Sequence, residues 1–175
     1  YLVEKYRQGR DAEIRPCVGA SYCIDRIYRG GDALCIHNVA TGREAYIPQV
    51  ITPTSGPVRR VVVVGGGPGG MEAARISAER GHDVVLLDAG ATLGGQVLMA
   101  SAVGWRRDLV GITRWLSDRL TALGVDVRSN VYAEAEDVLD LNPDVVILAT
   151  GGIPNMDLVE GGNLAVSAWD ILSRA

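Results

Sequence analysis

The chain has 175 residues, 47% hydrophobic and 22% charged, with a net charge of −4. That length suits about one domain, and the acidic balance speaks against nucleic acid as a partner, since a phosphate backbone calls for a basic face. No apolar run approaches the roughly 20 residues of a membrane span, no signal peptide is visible, and an odd set of 3 cysteines favours a reduced, cytoplasmic setting over a disulfide framework.

Residues 1–13 are polar and charged and read as a short helix ending near Gly9. Residues 14–50 show no sustained period and hold Cys17, Cys23 and Cys35. The run ITPTSGPV at 51–58 has linker chemistry, with two prolines and a glycine, and marks a boundary. Beyond it strands and helices alternate. Arg60–Val64 is a continuous β-branched run suited to a buried parallel strand. Met71–Arg80 reads as a helix with a small-residue face, stopped by Gly81. Asp83–Asp88 is a second strand, and Arg106–Leu123 an amphipathic helix with Leu109, Ile112, Trp115, Leu116 and Leu120 near one face. Val125–Arg128 and Asp144–Ala149 are further strands. This order predicts an α/β fold, a Rossmann-like doubly wound parallel sheet preceded by an irregular cysteine-containing segment.

Gly65, Gly67 and Gly70 match the spacing G-x-G-x-x-G. The match gains weight from its setting: a strand before it, a helix opening within it, a second strand after it, and an acid, Asp88, about 20 residues on. Gly65 allows the tight turn, Gly67 lets a pyrophosphate approach the backbone, and Gly70 lets the helix lie close to the strand. Pro68 and Gly69 sit at the helix start, where a missing N–H costs nothing and the free N–H groups attract phosphate. Asp88 is placed to accept from a ribose 2′-OH and to repel a 2′-phosphate, which disfavours NADP. Thr150 and Gly151 follow the last strand, at the edge where open α/β sheets bind ligands. Val131 is a candidate adenine contact or a plain packing residue.

Three further runs carry a resemblance. Leu93-Gly94-Gly95-Gln96 and Ala149-Thr150-Gly151, taken with the glycine turn, resemble the FAD domain of the two-dinucleotide-domain flavoproteins. Upstream, Ile14-Arg15-Pro16-Cys17-Val18-Gly19, then Cys23, then Cys35-Ile36-His37-Asn38 resemble the iron–sulfur segment of the trimethylamine dehydrogenase and 2,4-dienoyl-CoA reductase family of old-yellow-enzyme relatives. Members that demethylate N-methylproline or dimethylglycine look most similar. The resemblance implies that residues 1–13 end a TIM barrel that bears FMN, that 14–57 are a degenerate iron–sulfur-type segment and linker, and that 58–175 are an FAD- or ADP-binding Rossmann half-domain stopping before an NAD-binding insertion. It also implies that Gly95 and Gln96 line the cofactor edge.

By that resemblance Cys17, Cys23 and Cys35 take the first, third and fourth ligand places of a cluster, and Ala20 takes the second. Alanine cannot ligate iron, so either a three-thiolate cluster survives or the loop has kept its fold without metal. The implied parent is a flavin-dependent oxidoreductase acting on an N-methyl amine or an enoyl-type substrate. A structural ADP-binding module and a stand-alone NAD-binding protein are the alternatives. A homo-oligomer is compatible with the sequence. Trp105, Trp115 and Trp169 read as core or rim residues, and His82, Arg106 and Arg107 as solvated. No residue reads as a catalytic acid or base.

Overall fold

The computed structural model describes residues 2–156 and 160–173; Tyr1, residues 157–159 and residues 174–175, all within the expected units, lie outside the described residues. Four parallel strands form the sheet: β1 (Arg60–Val64), β2 (Asp83–Leu87), β3 (Asp126–Arg128) and β4 (Val145–Leu148), in the order β3-β2-β1-β4. Register is in step across the centre, with Val62 beside Val85 on one side and Val146 on the other. The doubly wound parallel sheet expected from the β-branched runs is the one observed, with strand ends trimmed by a residue.

One face of the sheet carries the larger core. Helices α3 (Pro68–Glu79) and α5 (Val110–Ala122) cover it. Val61, Val63, Val84 and Leu86 pack there against Met71, Ala74, Ile112, Leu116 and Leu120. Ala74 lets α3 approach the strands closely, as its small face predicts. The opposite face has a smaller cluster of Val62, Val85, Leu87 and Val138, the last from the short helix α6 (Ala135–Leu139). At β4 this second face is bare: Val146 is 42% and Leu148 76% exposed.

Several expectations are corrected. The helix expected over Arg106–Leu123 begins as a 3-10 stretch, Gly104–Leu109, and becomes α-helical at Val110. The apolar stripe that would anchor an α-helix starts only near Leu109, and Trp105–Asp108 project into solvent. Within residues 14–50, expected to be irregular, α2 (Tyr22–Tyr28) forms, with no buried residue of its own. Short helices α4 (Gln96–Ala100) and α7 (Ala168–Leu172) were also not anticipated. The N-terminal helix α1 (Leu2–Arg7) does end at a turn before Gly9. Half-buried His82 is not simply solvated, since its Nδ1 accepts from Arg59 N at 3.2 Å.

The segment before β1 is seated on α3 and α5. Trp115 donates its indole N–H to Ala12 O at 3.1 Å. Arg15 lies over the Trp115 ring, 4.3 Å from its centroid, and pairs with Glu72 at 2.6 Å. Arg75, 8% exposed, bridges Glu72 and Glu79 at 2.8 Å each. Arg119 joins through Glu79 at 3.5 Å. The spacing of Glu72, Arg75 and Glu79 along one helix face makes these pairs local; Arg15 and Trp115 turn them into a tertiary clamp.

Candidate nucleotide-binding site

The carboxyl ends of β1, β2 and β4 converge on the glycine turn. Gly65 has φ +108, and a Cβ there would lie 2.4 Å from Ala149 O. Its N–H is held by Leu87 O at 2.8 Å. The turn is thus wedged between β2 and β4, where only glycine fits. A Cβ on Gly70 would come within 1.8 Å of Gly65 O, so α3 rests directly on the turn. Gly67 is different: its φ of −70 suits any residue, and a Cβ on it would meet nothing within 4 Å. Gly69 likewise faces open space. Pro68 is the first residue of α3. Two glycines therefore serve packing, while Gly67 and Gly69 leave room in front of a helix start whose N–H groups have no intrahelical acceptor.

Asp88 follows β2 and is tied to this turn. One carboxylate oxygen accepts from Gly66 N at 2.5 Å and the other from Gly90 N at 2.9 Å. Each oxygen keeps a further acceptor site for a ribose hydroxyl. Half-buried Val131 lies beside it, its N–H bonded to Asp88 O at 2.9 Å. Gly66 was not singled out in the sequence, yet a Cβ on it would sit 2.4 Å from Leu93 and 2.9 Å from Asp88 Oδ2; the signal was the unbroken run of three glycines. On the other side, Gly94 N donates to Gly66 O at 2.8 Å. A Cβ on Gly95 would stand 3.1 Å from Gly67 Cα, and Gln96 Nε2 donates to Gly152 O at 3.0 Å. Ala149 N is bonded to Val64 O at 2.8 Å, placing Thr150 and Gly151 beside the turn. All the Rossmann residues picked from the sequence thus lie along one edge of the sheet.

The cysteines do not assemble in the same way. All three are free thiols, Cys17 exposed and the other two half-buried. Cys35 Sγ accepts from His37 N and Asn38 N, each at 3.4 Å. Among the described residues no three His, Cys, Asp or Glu side chains are grouped to hold a metal. With Ala20 in the second place, this donor set does not fit a four-thiolate cluster. Nearby His37, 5% exposed, abuts Trp115 edge-on at 5.5 Å. Burial pulls its pKa down, against a hydrogen bond between Nδ1 and Pro16 O. A cavity of about 880 Å³ opens between the N-terminal segment and α3 and α5. Its lining includes none of the glycine-turn residues, Asp88, Gln96 or the cysteines, and its Arg15, Glu72, Arg75, Glu79 and Arg119 are paired with one another.

The parallel sheet and its glycine turn are those of a dinucleotide-binding Rossmann-type fold, and residues 60–136 match the protein-family model described as FAD dependent oxidoreductase. The resemblance to the old-yellow-enzyme-related dehydrogenases and demethylases is borne out along the whole chain. It is 50% identical to the N,N-dimethylglycine/sarcosine dehydrogenase of Chromohalobacter salexigens, over 100% of this chain and 26% of that protein. It is 51% identical to a multifunctional alkene reductase/demethylase of Caballeronia cordobensis, over 99% of this chain and 25% of that protein. Among solved structures, a 2-naphthoyl-CoA reductase superposes with a TM-score of 0.89 at 30% identity, over 99% of this chain and 27% of that one. Histamine dehydrogenase from Rhizobium sp. 4-9 does so with a TM-score of 0.82 at 30% identity, over 90% and 23% respectively. The chain thus spans about a quarter of the length of these relatives. None of the helices among the described residues is long and apolar enough to cross a membrane.

Proposed function

We propose that this chain is the FAD-holding segment of a longer flavin-dependent oxidoreductase whose substrate is an N-methyl amine or N-methyl amino acid. The pyrophosphate sits against Gly67 and Gly69, at the start of α3. The ribose of the adenosine half reaches Asp88, and the adenine lies beside Val131. Gly95, Gln96, Thr150 and Gly151 flank the flavin side. The observation that carries this reading is the open space in front of Gly67 and Gly69, within a turn whose Gly65, Gly66 and Gly70 are closed by packing. The substrate class rests on the dimethylglycine/sarcosine dehydrogenase at half identity. In this reading residues 1–13 end a barrel that bears FMN, 14–57 are a cluster-type segment without its cluster, and 58–175 are the nucleotide-binding unit. No electron path runs through iron.

A second reading is an ADP-binding module without a redox role, favoured by the setting of Asp88 and Val131, both on the β2 side of the glycine turn that the adenosine half alone would occupy. An absorption spectrum of the longer protein, with iron and sulfide analysis, separates these possibilities. Flavin bands in excess of the FMN content and no iron support the first reading. Bound ADP without a second flavin supports the other. Iron and sulfide in stoichiometric amounts would overturn the reading of the cysteine segment.

A further inference from the structure

The run Leu93–Gln96 does more than border the turn. It touches the site at three successive points: Gly94 N on Gly66 O at 2.8 Å, Gly95 over Gly67, and the Gln96 amide on Gly152 O at 3.0 Å. The first point is fixed. Gly94 has φ +136 and is buried, and a Cβ there would meet Leu98 at 2.8 Å and Thr113 at 3.2 Å. The last point is a single hydrogen bond between exposed groups, which links the start of α4 to the loop after β4. Between them Gly95, exposed and at φ +52, is a glycine at which the chain can swing.

The bridge lies on one half of the site only. Strand order puts β2 and β3, with Asp88 and Val131, on one side of β1, and β4 on the other. Gln96 and Gly152 span from the glycine turn to the β4 side, away from Asp88 and Val131, so in the nucleotide reading the bridge borders the flavin half and leaves the adenosine half clear. We propose that Gln96 is a latch: its bond to Gly152 closes a glycine-hinged strap over the flavin half, and breaking that bond is the step that admits or releases FAD. This rests on the nucleotide reading above and deepens it by assigning a residue that distinguishes FAD from ADP in rate of exchange.

The test compares the full 175-residue chain with Gln96→Ala and with the isosteric Gln96→Glu, whose carboxylate cannot donate to Gly152 O. Stopped-flow flavin fluorescence follows FAD association, and displacement of bound FAD by excess ADP follows release; ADP exchange is followed with a fluorescent ADP analogue. Both variants are expected to exchange FAD about three- to tenfold faster, the worth of one hydrogen bond, with ADP exchange unchanged. Unchanged FAD rates in both variants would overturn the latch, as would an equal acceleration for ADP, which would mean that the strap acts on the pyrophosphate. Failure of the unsubstituted chain to bind either nucleotide would instead overturn the nucleotide reading, and the latch with it.

Discussion

Gly67 and Gly70 are three residues apart and answer opposite physical demands, so valine or alanine at each should fail in a different way. At Gly67 the backbone tolerates a side chain and the space is empty, so Gly67→Val should fold with unchanged stability and lose nucleotide binding, because its branched methyls fill the pyrophosphate position. Circular dichroism together with ADP titration checks this; retained ADP affinity would remove the assignment of the turn. At Gly70 the added methyl meets Gly65 O at 1.8 Å and Ala149 at 3.2 Å, so Gly70→Ala should lower stability by about 3 kcal/mol, the upper range of overpacking costs, seen as a shifted urea midpoint. Asp88 combines both roles. Asp88→Ala leaves the N–H groups of Gly66 and Gly90 without their acceptor, costing about 1–3 kcal/mol. It should also erase any preference for ADP over 2′-deoxy-ADP. A preference that survives the substitution would show that the ribose is read elsewhere.

At the scale of elements, α3 carries the turn at one end and the clamp for the N-terminal segment along its length. Burial raises the pKa of the Glu72 carboxyl, but hydrogen bonds from Arg75 and the charge of Arg15 outweigh it and hold the group below its ordinary value. The folded chain therefore takes up this proton less readily than the unfolded one. The stabilisation is complete above the ordinary carboxylate pKa of about 4.3 and is lost as pH falls through the lower folded value. Glu72→Gln should weaken the chain at pH 7 by about 2 kcal/mol, a discounted figure for a partly exposed pair network, and should flatten the acid limb of its stability profile. Urea unfolding from pH 7 to pH 3 measures both, and an unaltered acid limb would assign the pH dependence to other carboxylates. β1, β2 and the turn were legible, because β-branched runs and glycine positions are local signals. Arg15 over Trp115 was not, since it joins residues a hundred positions apart through packing alone. For the same reason the cysteine segment did not show its helix α2, which has no buried residue and so leaves no apolar stripe to read.

At the scale of the whole molecule, the sheet is covered unequally. All-parallel sheets are ordinarily buried on both faces, yet beyond the small cluster around Val138 the outer face of β4 leaves Val146 and Leu148 exposed. In the proposed reading the adenosine half of the cofactor lies over β1, β2 and β3, beside Asp88, Val131 and the start of α3. In that reading the flavin half lies toward β4, where the polar groups among the described residues are the Gln96 bridge and the Thr150–Gly152 backbone. Most of the binding free energy available within this chain is therefore on the adenosine half. FAD and ADP should bind it with dissociation constants within about tenfold of each other, a difference below about 1.4 kcal/mol, and extensive dialysis should strip the yellow colour. Calorimetric titration with each nucleotide decides the point. FAD bound a hundredfold more tightly than ADP would mean that the flavin ring finds a surface within these residues, and the groove beside β4 lined by Val64, Val138, Val146 and Leu148 would be the place to look for it.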